Sequence, residues 1–396
     1  MLIGIVGKPS TGKSTFFMAA TSAVVERSER PFTTIKPNRA VGYVEVECVD
    51  KEFNRQCNPR TGFCKDGRRF VPVELLDVAG LVPGAHEGKG LGNKFLDDLR
   101  QADVLIHIVD ASGSTNENGE KVPVGSYDPC NDVRFLEEEL DYWIAGILDR
   151  NWVKLTREAR LNKNEDVIGE QFTGLGVPKD VVAKILKKLG LDEKKLDEWT
   201  PEEKKNLGKK IRELGKPIII AANKVDLSSG WDNYQKLKKE FPEYLIVPCS
   251  CEAEITLKNA AKNGFIDYIP GDKDFTIKGD LNDAQKNAME ILRKVMKKYE
   301  GTGVQRCLNS AVFDFLHYIA IFPGGVNKLE DSSGRTLADC LLLKSGSTAL
   351  DFAFALHTDM GRGFIKAIDV RSKKALGKDH ILKHRDIIEI IFKKPN

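Results

Sequence analysis

The sequence predicts an α/β fold built on a mostly parallel, doubly wound sheet, and three observations carry that prediction. The apolar runs Leu2–Val6, Val104–Val109 and Ile218–Ala222 are nearly free of polar residues, as strands covered on both faces must be. Segments with helical spacing alternate with these runs, which is the signature of strand–helix–strand units. A glycine-rich turn directly follows the first run and leads into a helix, the arrangement that places ligand chemistry at the carboxyl edge of such a sheet.

The first strand, Leu2-Ile3-Gly4-Ile5-Val6, feeds Gly7-Lys8-Pro9-Ser10-Thr11-Gly12-Lys13-Ser14, which reads G-x-x-x-x-G-K-S, and a helix is predicted from Ser14 to Ala20. The two glycines let the backbone curl until successive N–H groups face phosphate oxygens. Gly7, Ser10, Thr11, Gly12, Lys13, Ser14 and Thr15 are therefore the expected phosphate-binding residues. Lys13 supplies charge to the outer phosphates, the Ser14 hydroxyl suits Mg²⁺, and the helix N-terminus adds partial positive charge. In the following loop, Pro31–Asn38, a threonine can donate a hydroxyl to Mg²⁺ and an N–H to the γ-phosphate. Thr34 is preferred to Thr33 for this role.

Residues 40–48 alternate as a half-buried strand, expected antiparallel to the third strand, 70–76. That third strand ends at Asp77-Val78-Ala79-Gly80, where Asp77 can hold Mg²⁺ through water and the Gly80 N–H can touch a terminal phosphate. Nucleotide-hydrolysing loops of this kind can orient the attacking water with a glutamine just after this turn. Here Leu81 and Val82 follow and offer no polar group, so slow intrinsic hydrolysis is expected; His86 is a candidate replacement. A helix is predicted over Asn93–Arg100, and the fourth strand, 104–110, carries His107 as a core residue.

The stretch from 111 to 216 is far longer than an ordinary connection and reads as a helical insertion. Helices are expected over Asp132–Ile147, around Val181–Leu186 and over Pro201–Leu214, the last two capped by Asp180 and Thr200. Its expected role is contact with a partner.

The fifth strand, within 217–222, runs into Asn223-Lys224-Val225-Asp226. A carboxylate at Asp226 can accept from the N1–H and N2–H of guanine, whereas adenine would leave it unpaired, a costly outcome for a buried charge. The Lys224 stem would lie along the ring. The sixth strand, 244–249, leads to Ser250-Cys251, whose N–H groups can reach the guanine carbonyl. Helices over Asn282–Glu300 and Val304–Tyr318 then connect to a C-terminal module starting near Ile319.

Composition sets outer bounds. At 396 residues with a net charge of +3, the chain holds two or three domains, and bulk electrostatics gives no argument for nucleic-acid binding. No run approaches the roughly 18 apolar residues of a membrane span, and the N-terminus is already a core strand, so a cytoplasmic protein is expected. The eight cysteines read as reduced thiols. For Cys57 and Cys64 a disulfide or a metal half-site in a hairpin loop stays open.

At Pro31-Phe32-Thr33-Thr34-Ile35-Lys36-Pro37-Asn38, Asp77-Val78-Ala79-Gly80-Leu81-Val82 and Gly88–Leu96, the chain resembles the Obg-related P-loop GTPases, above all archaeal-type relatives of the YchF group. Ile319–Gly324 and His384–Ile390 resemble a TGS domain, a β-grasp module. The resemblance implies a P-loop NTPase G domain over 1–280 with a helical insertion at about 112–215, a helical connector over 281–318 and a TGS domain over 319–396. Within the last, Thr336–Leu343 would begin the crossing helix, and 364–368 and 387–391 would be strands. YchF members typically replace the Lys and Asp of N-K-x-D and use ATP; Lys224 and Asp226 are retained here, which points to GTP. Obg-related loops usually carry Asn, a K⁺-holding residue, at the position of Ser10, so a K⁺ requirement is open.

The expected function is a GTP-binding protein hydrolysing GTP to GDP and phosphate with Mg²⁺. It would act as a monomeric switch that contacts ribosome or RNA through its TGS domain and insertion. An ATPase of YchF type, or a nucleotide-gated RNA- or ribosome-binding module with incidental hydrolysis, are the competing readings.

Overall fold

The computed structural model describes residues 1–21, 38–78 and 98–393. Its strands, in chain order, are β1 (Leu2–Val6), β2 (Arg39–Glu47), β3 (Phe63–Lys65), β4 (Arg68–Asp77), β5 (Val104–Asp110), β6 (Ile218–Asn223), β7 (Leu245–Pro248), β8 (Ile266–Asp267), β9 (Thr276–Ile277), β10 (Tyr318–Pro323), β11 (Leu341–Lys344), β12 (Phe364–Asp369), β13 (Ala375–Leu376) and β14 (Ile387–Phe392). The chain divides into two compact units.

The first unit comprises Met1–Ala19, Glu74–Glu254 and Glu290–Cys307. Its sheet runs in the order β4-β1-β5-β6-β7, and every pairing in it is parallel. Every residue of β1, β5 and β6 is buried, which is why these strands read as unbroken apolar runs. The parallel register brings Ile5 level with Asp77 and Asp110 level with Asn223, so the ends of β1, β4, β5 and β6 share one edge.

The insertion forms four α-helices, Cys130–Glu158, Asn164–Thr173, Lys179–Leu189 and Pro201–Gly215. Their apolar faces (Leu136, Leu140, Trp143, Phe172, Leu186, Ile211) join sheet residues Leu2, Leu105 and Ile218 in one core. The first helix runs well past Ile147, because Leu148 continues its buried stripe and Leu155 resumes it beyond the polar run Asp149-Arg150-Asn151. Thr200 and Glu203 form a reciprocal capping box ahead of the last helix, with Pro201 at its first position. Asp180 is not a cap: Pro178 holds that position and Asp180 lies in the first turn, where its charge faces the positive helix end. Buried Arg212 joins the first and last helices through Asp141 at 2.7 Å and Glu137 at 3.1 Å.

The second unit comprises Ala20–Val73, Ile255–Met289 and Leu308–Asn396. β3 pairs antiparallel with the first half of β4, and Phe63 stacks on Phe70 at 4.4 Å between ring centroids. The C-terminal sheet has the order β11-β10-β14-β12-β13, with β10 and β14 parallel at its centre. The segment expected to begin the crossing helix is a strand instead: β11 pairs antiparallel with β10, Ile321 opposite Leu341. Cross-strand partners decide the state of its three leucines, overriding their helical preference. The crossing helix is Ala349–Leu356, entered through a Thr348–Asp351 capping box, and it buries Phe352 against Ile321, Ala367 and Ile388. The helix expected over Val304–Tyr318 ends early, as Val304–Ser310, a wider π turn over Ala311–Phe315, then β10.

No described helix is long and apolar enough to cross a membrane.

Candidate nucleotide site

At the carboxyl edge of β1 the chain turns through Gly7–Gly12 into the helix Lys13–Thr21. Both glycines of the turn are dictated by close approach. A Cβ on Gly7 would lie 2.7 Å from the Ile108 carbonyl oxygen, and one on Gly12 would lie 2.2 Å from Asn223 Nδ2. Gly12 also has φ +95°, a conformation that side chains disfavour.

Asn223, at the end of β6, is buried and joins three of the sequence motifs. Its Nδ2 donates to the Thr11 carbonyl at 3.0 Å, and its Oδ1 accepts from the Cys251 N–H at 3.2 Å. The same loop is held from a third side, where the Ser250 N–H donates to the Thr302 carbonyl at 3.0 Å. Lys224 has φ +60°, and its ammonium donates to the Ser10 carbonyl at 3.0 Å and pairs with Asp110 at 2.8 Å. Asp226, two residues on, is exposed. Cys251 is buried, and burial pushes its thiol well above the usual range, so it acts as a neutral packing residue with a useful backbone N–H.

Asp110 was not singled out by its sequence, yet it organises one flank of the turn. Besides Lys224, it accepts from the Ser112 backbone N–H and from the Ser112, Ser114 and Thr115 hydroxyls at 2.5 to 3.0 Å. Burial alone would raise its carboxyl; Lys224 and these hydroxyls outweigh burial and hold it below the ordinary carboxylate range.

Lys8, a variable position in the motif, is 2% exposed. Its ammonium donates to the Thr115 carbonyl at 2.9 Å and to Asp132 at 2.7 Å, and lies 3.9 Å from the centre of the Tyr127 ring. Burial acts against both charges, lowering Lys8 and raising Asp132 to about 6, and their attraction offsets only part of it. The insertion, expected only to contact a partner, supports the turn directly through Ser112, Thr115, Tyr127 and Asp132. The signals were a lysine inside an otherwise small-residue loop and an aspartate closing an apolar strand.

Lys13 donates to Asp77 at 2.7 Å and to the Val78 carbonyl at 2.6 Å, so the lysine and the carboxylate assigned to phosphate and metal sit together. Ser14 is exposed in the first turn of the helix. Its hydroxyl and the partly exposed Asp77 carboxylate are hard oxygen donors, a set that fits Mg²⁺. The Ser10 hydroxyl donates to the Gly119 carbonyl at 2.7 Å. Gly7, Ser10, Thr11, Gly12, Lys13, Ser14 and Thr15 thus form one turn beside Asn223 and Cys251. Thr33, Thr34, Gly80, Leu81, Val82 and His86 lie outside the described residues. His107 is a core residue: it is fully buried in β5, and burial, with Lys8 nearby, lowers its pKa to about 3.

Fold and site together define a P-loop nucleotide-binding protein with a C-terminal β-grasp domain. Residues 2–129 match the model of the 50S ribosome-binding GTPases, residues 221–325 that of the Obg-like GTPase YGR210-like, G4 motif-containing domain, and residues 326–392 that of the TGS domain. The chain is 46% identical to an uncharacterized GTP-binding protein of Methanocaldococcus jannaschii over 98% of both chains. It is 27% identical to the ribosome-binding ATPase YchF of Bacillus subtilis, again over 98% of each. A crystal structure of a GTP-binding protein from Pyrococcus horikoshii superposes with a TM-score of 0.76 at 37% identity, covering 99% of this chain and 100% of that one. The chain belongs to the YchF/Obg-like family of GTP-binding proteins.

Proposed function

We propose that this chain is a Mg²⁺-dependent GTPase that hydrolyses GTP to GDP and phosphate. The observation that carries the choice of guanine is Asp226, exposed just beyond the Asn223 clamp and the anchored Lys224. A carboxylate there accepts from both N1–H and N2–H of guanine, while adenine offers no matching donor pair. The Ser250 and Cys251 N–H groups are engaged with the Thr302 carbonyl and Asn223 Oδ1, and would reach the guanine carbonyl by exchanging those bonds.

In this reading the backbone N–H groups of Gly7–Thr15 cradle the phosphates, and Lys13 exchanges Asp77 for the outer phosphate oxygens. Ser14, Thr34 and Asp77 would hold Mg²⁺, which neutralises charge on the β- and γ-phosphates. The Gly80 N–H would stabilise charge developing on the γ-phosphate as water attacks in line. Leu81 and Val82 cannot orient that water, so the intrinsic rate is slow and a partner raises it. We assign that partner to a ribosome- or RNA-associated process in the cytoplasm, reached by a monomer through the TGS domain and the insertion. The family's 50S ribosome-binding model and the relative named a ribosome-binding ATPase support this assignment.

The second reading, ATP as substrate, is favoured by that same relative's name. Equilibrium binding of labelled GDP and ADP with Mg²⁺ separates the two. We expect GDP to bind at least about tenfold more tightly, and Asp226→Asn to loosen GDP while leaving the fold intact. Tighter ADP binding, or unchanged GDP affinity in Asp226→Asn, overturns the guanine reading.

A further inference from the structure

The sequence places Cys48, Asp50, Cys57 and Cys64 within one short stretch that runs from the end of β2 into β3. The fold gathers them. Their three thiol sulfurs and one carboxylate oxygen all lie within 4.8 Å of one another. Cys48 Sγ and Cys57 Sγ are 3.5 Å apart, and Cys64 Sγ is 3.8 Å from Asp50 Oδ2. A tetrahedral ion with bonds of about 2.3 Å to sulfur requires ligand separations of about 3.8 Å, so these edges already have the right length. The 3.5 Å between the Cys48 and Cys57 sulfurs is too long for a disulfide, whose sulfurs lie about 2.05 Å apart. All four cysteines of this region, Cys48, Cys57, Cys64 and Cys340, are free thiols.

The surroundings also call for a cation. Asp50 is 1% exposed, and its carboxylate accepts from the Lys51 and Cys57 N–H groups at 2.8 and 3.2 Å. Among the described residues no lysine, arginine or histidine forms an ion pair with it. A carboxylate so deeply buried is costly without a counter-charge. The two N–H bonds fix its orientation toward the sulfurs, as outer partners do for ligating carboxylates. Arg69, itself buried, places a guanidinium nitrogen 3.8 Å from Cys57 Sγ, suitable for the excess negative charge of three thiolates.

We infer that Cys48, Asp50, Cys57 and Cys64 form a structural zinc site. Three thiolates exclude Mg²⁺ and Ca²⁺, a fourth oxygen ligand disfavours Cu⁺, and four protein ligands leave no open position for catalysis. The site closes the segment 48–64 into a knob, and the same unit shows what the knob carries. The Asn58 and Arg60 N–H groups donate to the Thr336 and Ala338 carbonyls at 2.9 and 2.8 Å. Arg69 donates to the Leu337 and Ala338 carbonyls, each at 3.0 Å. Glu52, one turn from the site, pairs with Arg371 at 2.7 Å and Arg385 at 2.8 Å. Zinc bound here holds rigid the base on which the C-terminal β-grasp sheet rests.

The test is the metal content of the full chain, purified under reducing conditions without chelator, by elemental mass spectrometry. About one zinc per chain is expected, falling below about 0.2 in Cys57→Ser, Cys64→Ser and Asp50→Ala, and staying near one in Cys340→Ser. Should a cysteine variant fail to fold, the cobalt-substituted wild-type chain gives the same answer through thiolate charge-transfer absorption. Three thiolates support the site, and one or none overturns it. No metal in the reduced chain, with added zinc bound more weakly than micromolar, overturns the proposal; so does an intact mass lower by two hydrogens, which would mark a disulfide. Loss of zinc in Cys340→Ser but not in Asp50→Ala overturns the assignment of Asp50.

Discussion

Removing the Asn223 side chain is the sharpest probe of how this site is built. Its amide satisfies the Thr11 carbonyl and the Cys251 N–H, and both of those residues are at most 1% exposed. Asn223→Ala leaves one buried acceptor and one buried donor unmade, at about 1–3 kcal/mol each, so a loss of about 2–6 kcal/mol is expected. The same amide is what a Cβ on Gly12 would strike at 2.2 Å. Gly12→Ala therefore meets two penalties, the collision and a φ of +95°. In an Asn223→Ala background only the φ penalty survives, about 1–2 kcal/mol. Denaturant unfolding of the wild type, both single variants and the double variant closes a cycle. The double variant should be more stable than the sum of the singles predicts, by about 1–3 kcal/mol. Additive losses would mean that the turn and the β6 end are not in contact as described, and the clamp would be wrong.

Other perturbations separate neighbouring roles. Lys8→Met leaves the Asp132 carboxylate buried without its cation and should cost about 3 kcal/mol by denaturant unfolding, with Asp132→Asn in the same chain recovering part of it; a neutral single variant would refute the buried pair. His107 stays neutral in the fold down to about pH 3, whereas the unfolded chain takes up a proton below about pH 6.5. Stability contributed by this residue is complete above that value and declines as pH falls, by about 2 kcal/mol at pH 5. His107→Leu should flatten the slope of unfolding free energy between pH 4 and pH 6.5, and an unchanged slope would show the imidazole to be accessible.

The G-x-x-x-x-G-K-S turn, the aspartate closing β4 and the N-K-x-D stretch were legible because each combines an apolar run with residues whose chemistry has few other uses. The buried strands were legible for a simpler reason: strands covered on both faces have nowhere to put polar side chains. What the sequence hid were contacts across long separations. Lys8 and Asp132 stand 124 positions apart, and Asp110 reaches Lys224 across 114. Local pattern carries no information on such pairings. Thr336–Leu343 misled for a related reason, since three adjacent leucines suit a helix until β10 supplies a strand to pair with. Cys48 and Asp50 were passed over beside Cys57 and Cys64 because their spacing matches no compact metal motif; only the return of the chain through β3 brings all four together.

Lys13 and Asp77 raise a question of cost, because the proposed chemistry needs both to leave each other. Their side chains are 14% and 31% exposed, so solvent screens the pair. An ion pair in that setting contributes about 1 kcal/mol or less, and the bond to the Val78 carbonyl adds about as much. Both are small beside what a phosphate returns to a lysine at a helix N-terminus. The pair therefore keeps the ammonium near its working position without opposing the exchange. By this argument Lys13→Met should lower unfolding free energy by no more than about 2 kcal/mol while weakening GDP binding at least about a hundredfold. The contrast with Asn223→Ala is the discriminating feature: one residue is expected to act chiefly on the nucleotide, the other on the scaffold as well. If Lys13→Met instead costs as much stability as Asn223→Ala, the lysine is a structural element of the turn, and its assignment to the outer phosphates loses its physical basis.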